Sequence, residues 1–193
     1  MKSIYLVLDM QNDLVHVDGP NGKSPLGEQV RSRRIVENTA TALAKARAAG
    51  IAVGFVRVGF SSDYHECPKN SPVFGGAPKM GLFKLGSFGT EIHPALQQFP
   101  GDVQVVKHRV SPFYSTSLTA QLSAQGIQRI YCSGVSTQAV VQAAVRDAHD
   151  RDFDVVVIED ACCAHNEEEH RNSMQSIARF CRIESTATVN FSA

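Results

Sequence analysis

The sequence carries no surplus of either charge, with 19 basic and 19 acidic residues in 193. That balance supplies no basic field for a polyanion or an anionic bilayer, so neither nucleic acid nor a membrane is an expected partner. No apolar run approaches the ~18 residues of a membrane span. The opening Met1-Lys2-Ser3-Ile4-Tyr5 enters an apolar run that reaches Asp9 too soon for a signal peptide. Cysteine is scarce and odd in number (Cys67, Cys132, Cys162, Cys163, Cys181), with no C-x-x-C spacing, which argues against a disulfide framework or a structural zinc site. Repeats, linkers and low-complexity tracts are missing as well. The expectation is one soluble, cytoplasmic domain over residues 1–193, in a reducing compartment.

What is present is an alternation of short β-rich apolar runs with longer helical patterns, the signature of a parallel sheet with crossover helices. Strands are expected over Ile4–Asp9, Ala52–Val58, Val103–Lys107, Arg129–Val135, Asp154–Asp160 and Ile183–Val189. Helices are expected over Val30–Ala49, closed by Gly50 as a left-handed cap, then Leu118–Gln125, Thr137–Asp150 and Glu167–Phe180, the last opened by Asn166. The predicted fold is α/β, a single-domain, Rossmann-like three-layer sandwich whose six-stranded parallel sheet has helices on both faces. Residues 59–101 break the rhythm with prolines, glycines and aromatics, and a loop that long is commonly functional.

Ligands of open parallel sheets bind beyond the carboxyl ends of strands. Asp9 ends the first run inside DMQND, Lys107 ends the third inside KHRVSPFYST, and GVSTQAV ends the fourth and opens a helix. A carboxylate and an ammonium at adjacent strand ends can fix each other's charge and pass a proton to a substrate; the competing reading is a solvated or purely structural ion pair. Phe60, Phe74 and Phe113 are candidate pocket walls. His93, His108, His149, His165 and His170 share no spacing, and the helix-borne ones are expected on solvated faces.

Taken together, D-x-Q-x-D after an N-terminal strand, K-x-x-x-S-x-F at Lys107, Ser111 and Phe113, and G-V-x-T before a helix resemble the isochorismatase-like hydrolases, in the same order along nearly the whole chain. The resemblance implies hydrolysis at a site built from Asp9, Lys107 and the Gly134 loop, with Gln11, Val135, Ser136, Gln138, Ala139 and Val140 beside the substrate. It also implies a cis peptide at Val135–Ser136, a nearby backbone oxyanion hole, and a homodimer or homotetramer.

The chain departs from the amide-cleaving branch of that family, whose nucleophilic cysteine falls at Val140 here. Without it a covalent thioester route is closed unless another thiol, such as Cys162 or Cys163, substitutes. The expected reaction is therefore hydrolysis of a small, anionic molecule with Asp9 as acid or base and Lys107 as its electrostatic partner. A C–N hydrolase using another thiol and a catalytically silent small-molecule binder are the alternatives. No cofactor is expected. Asp63-Tyr64-His65 matches the start of a nicotinamidase-type metal motif, but Leu82 falls near the further histidine position, so no metal is expected.

Overall fold

A computed structural model describes residues 1–191. Six parallel strands form one sheet in the order β3-β2-β1-β4-β5-β6. They are β1 (Ser3–Leu8), β2 (Ala52–Val58), β3 (Val103–Lys107), β4 (Arg129–Val135), β5 (Asp154–Cys163) and β6 (Arg182–Glu184). The helices are α1 (Asn12–Val15), α2 (Pro25–Ser32), α3 (Ile35–Ala48), α4 (Ala77–Met80), α5 (Leu118–Ala124), α6 (Gln142–His149) and α7 (Glu167–Ile177). None is long and apolar enough to cross a membrane.

Every residue of β1 is buried, as a central strand covered on both faces must be. Its side chains alternate between two cores. Tyr5 and Val7 pack with Val30, Ile35, Ala42 and Leu43 of α2 and α3. Ile4, Leu6 and Leu8 pack with Leu118, Leu122, Val145 and Ile177 of α5, α6 and α7. A third, smaller cluster of Val58, Phe60, Cys67, Phe74, Ala77, Leu82 and Phe83 gives the 59–101 segment its own core.

The chain winds outward from β1 through β2 to β3, then returns to lay β4 on the opposite side of β1. The crevice between the carboxyl ends of β1 and β4 is thus the switch point of the sheet, where such folds hold ligands. Gly134 makes the close approach there possible. Its φ is +140°, and a Cβ would stand 1.9 Å from the Leu8 carbonyl oxygen.

Two expected elements are revised. The Val30–Ala49 helix is broken into α2 and α3, because Arg34 adopts a left-handed conformation (φ 55°) while the Arg33 side chain reaches Glu159 and Glu167. The last strand stops at Glu184 rather than Val189. Ser185 and Thr188 exchange side-chain bonds with each other's amides (2.9 and 3.2 Å), and Thr186 is held on Asp160, so the chain turns instead of pairing. Gly50 (φ 70°) follows α3 and Asn166 caps α7 through Glu169 N–H at 2.8 Å, both as expected.

The Gly134→Ala variant tests the switch-point packing. It is expected to lose about 3 kcal/mol or more of unfolding free energy, since backbone must shift and a left-handed position gains a side chain. Urea denaturation measures this, and a loss below about 0.5 kcal/mol would refute the close approach.

Candidate active site

Asp9 directly follows β1 and is itself left-handed (φ 55°), a conformation that aspartate tolerates better than most residues. Its amide continues the ladder to β2, bonding Val56 O at 2.8 Å. Lys107 ends β3, and β2 lies between β3 and β1, so the two strand ends are not adjacent. The long lysine side chain spans the end of β2 to place Nζ 2.8 Å from Asp9 Oδ2. Side-chain exposure is 1% for Lys107 and 7% for Asp9, so this is a desolvated pair and not a surface one. Lys107 Nζ also donates to Arg109 O at 3.1 Å, leaving one of its three N–H groups.

Asp9 Oδ1 is buried without a hydrogen-bond partner. Burial pushes the carboxyl above its ordinary pKa, and the Lys107 ammonium pulls it back only in part. An oxygen of that kind is placed to exchange a proton with whatever occupies the cavity in front of it.

That cavity measures about 610 Å³. Asp9, Lys107, Val135, Ser136, Gln138, Ala139 and Val140 line it, with Phe74, Leu82, Phe83 and Met80 from the 59–101 segment, Leu14 and Leu26 opposite, and His165. The Val135–Ser136 peptide is cis, as the resemblance implied. The turn that follows (Thr137–Val141) has π-helical geometry and leads into α6. The Ala139 and Val141 amides donate to Ser136 O (3.1 and 3.4 Å), so those two donors are already engaged.

Two expected wall residues, Phe60 and Phe113, and one expected binding residue, Gln11, lie outside the cavity lining. Gln11 is fully buried and clamps β2, accepting from Val58 N–H (2.8 Å) and donating to Val58 O (3.0 Å). Phe60 lies beneath the wall, with its ring centre 5.7 Å from Phe74, and does not line the cavity. Phe113 belongs to the core on the other side, stacked on Phe153 at 6.2 Å. Its motif partner Ser111 bonds Asp147 of α6. The rest of DMQND is also structural: Asn12 Nδ2 donates to Phe88 O (2.9 Å), and Asp13 Oδ2 accepts from Phe83 N–H (2.7 Å).

None of the five cysteines lines the cavity. Burial raises each thiol above its ordinary pKa, Cys163 to about 12 and Cys181 to about 11, which suppresses the thiolate. Asp63, His65 and Glu66 do gather, with ligating atoms within 4.8 Å of one another, but outside the cavity. Asp63 and Glu66 already accept from Ser61 Oγ at 2.6 and 2.7 Å, and Leu82 contributes an apolar wall. This donor set does not fit a metal at the reacting position.

Two contributions went unread in the sequence. His165 follows β5, so the strand-end rule that singled out Asp9 applies equally to it. Leu14 and Leu26 arrive through a crossing of α1 and α2 that has no periodic signal. His170 also departs from the expected solvated position: it is 2% exposed and fully engaged.

Residues 3–188 match the family model described as "Isochorismatase domain". The chain is 35% identical over 179 residues to the isochorismatase family protein YecD of Escherichia coli O157:H7, covering 91% of this chain and 93% of that one. It is 30% identical over 171 residues to the ureidoacrylate amidohydrolase RutB of Methylorubrum extorquens, covering 82% and 68%. Among solved structures, an isochorismatase family protein from Desulfovibrio vulgaris subsp. vulgaris str. Hildenborough gives a TM-score of 0.84 at 27% identity, covering 96% of this chain and 95% of that one.

The ion pair makes a thermodynamic prediction. Lys107→Met strands a buried carboxylate and is expected to cost about 3 kcal/mol, most of which returns when Asp9→Asn is added. Denaturation of both single variants and the double variant reads the coupling, and strictly additive losses would show that the two groups do not interact.

Proposed function

Because this chain belongs to the isochorismatase family of hydrolases, we propose that it cleaves a small anionic molecule with an otherwise apolar body by acid-assisted addition of water, without a covalent enzyme intermediate. The observation that carries this reading is Asp9: one oxygen is fixed on Lys107, and the other is buried, unpartnered and at the cavity wall. Val140 occupies the nucleophile position, and a hydrocarbon side chain cannot attack a carbonyl.

The chemistry that suits this arrangement is hydrolysis of an enol ether. Protonated Asp9 gives its proton to the terminal carbon of the double bond, which leaves an oxocarbenium ion. Water adds to that ion and returns a proton to the Asp9 carboxylate, and the resulting hemiketal falls apart to a ketone and an alcohol. Lys107 stabilises the carboxylate while it is charged. Its remaining N–H can hold a single anionic group of the substrate. Among the described residues, His165 is the only other basic side chain in the lining, so charge contributes less to recognition than apolar contact does.

A second reading follows from the similarity to RutB, an amidohydrolase. With no thiol in the cavity, Asp9 would then act as the base that activates water on an amide.

The pH profile separates the two. An acid role requires protonated Asp9, so the rate falls as pH rises through a carboxyl pKa above the ordinary range; a base role gives a limb that rises through the same value. The experiment sets isochorismate and neutral enol ethers beside ureidoacrylate and simple amides, using the native chain, Asp9→Asn and an iodoacetamide-treated sample. The expected result is enol-ether turnover that declines with pH, survives alkylation and drops by about 100-fold or more in Asp9→Asn. Amide turnover abolished by alkylation would overturn the proposal.

A further inference from the structure

The cavity wall from Ser136 to Val140 has a reverse side. Ser136, Gln138, Ala139 and Val140 line the cavity, but Thr137 does not; it is fully buried behind them. Its Oγ1 lies 2.9 Å from His170 Nδ1, on α7. His170 Nε2 lies 2.6 Å from Glu159 Oε1 on β5, and the same oxygen accepts from Arg33 at 2.6 Å. Arg33 also bonds Glu167, at the start of α7. A second tie runs from Gln142 Nε2 to Ser173 Oγ at 3.0 Å.

His170 Nε2 sits between the Glu159 carboxylate (2.6 Å) and Arg33 Nη2 (3.0 Å), and its Nδ1 meets the Thr137 hydroxyl, a group that can donate or accept. His170 and Arg33 hold Glu159 below the usual carboxylate range, which keeps the outer end of the chain charged. Arg33, Glu159, His170 and Thr137 thus form one line of polar contacts, joining the break between α2 and α3 to β5, α7 and the wall. Thr137 and His170, its two buried members, have a partner at every polar side-chain atom and so hold one geometry, while Arg33 Nε is left without one.

We propose that His170 is a positioning residue: backed by Glu159, it holds Thr137 and so sets the distance of the 136–140 wall from Asp9 and Lys107. The proposal rests on the reading of Asp9 and Lys107 as the working pair, but its geometric content can be tested without a substrate. The probe is a thiol introduced by Val140→Cys, which faces the same cavity as the Lys107 ammonium and the Asp9 carboxylate. The ionisation of that thiol therefore responds to where the wall stands.

The experiment measures alkylation of the introduced thiol by iodoacetamide against pH, by peptide mass spectrometry, in Val140→Cys alone and with Thr137→Val, Thr137→Ser or His170→Asn added. Thr137→Val removes only the hydroxyl and keeps the shape, so it remains informative if His170→Asn folds poorly. Thr137→Val and His170→Asn are each expected to shift the alkylation midpoint by about one pH unit, while Thr137→Ser, which keeps the hydroxyl, leaves it in place. In the native background, the same two changes lower kcat about tenfold with KM within about twofold. An unshifted midpoint in both variants would overturn the proposal even if their melting temperatures fall, because that pattern belongs to a structural contact alone. Absence of turnover in the native chain would refute the functional reading, while the thiol titration still decides this one.

Discussion

A carboxylate and an ammonium that share one dry crevice must neutralise each other, and much of the molecule is arranged so that they can. Asp9 reaches the crevice by leaving β1 in a left-handed conformation, and Lys107 by extending across the end of an intervening strand. Neither side chain would be tolerated alone at that depth. Their union also explains the chemistry open to the site. One carboxylate oxygen is tied to the cation and the other is left without a partner, and the positive charge is already balanced.

The fold was legible because its determinants are local and periodic. Six apolar runs, helices between them and polar residues at three strand ends survive any uncertainty about loops. The revised elements are those where side-chain bonds, and not periodicity, decide the local conformation. Arg33 gives up helix continuity to reach Glu159 and Glu167, and Ser185, Thr186 and Thr188 replace strand pairing with bonds to nearby groups and to Asp160.

Most of the candidate site that was legible sits on strand ends; Phe74, off them, was read as a wall and lines the cavity, while His165, just past β5, was not read. Asp9, Lys107 and the Val135–Val140 turn are fixed by the sheet, so sequence position implies spatial position. Gln11, Phe60 and Phe113 belong to the same motifs or to the same aromatic-rich segment, yet their side chains point into the framework. Motif membership reveals that a residue is constrained without revealing whether the constraint faces the ligand. His170 illustrates the converse: it lies in a run that reads as a solvated helix start, and only the tertiary structure places it against Thr137 and Glu159.

The anchoring of residues 59–101 has a further consequence. Asn12 and Asp13 grip that segment by its peptide groups, at Phe88 and Phe83, and make no demand on the side chains it carries. Phe74, Met80, Leu82 and Phe83 can therefore change in size or polarity while the attachment stays as it is, within the limits of their own small core. The segment behaves as an exchangeable facing mounted on a permanent frame. Descendants of one ancestral chain can diverge in the shape of this cavity by altering those four positions, keeping the Asp9–Lys107 pair and the sheet unaltered.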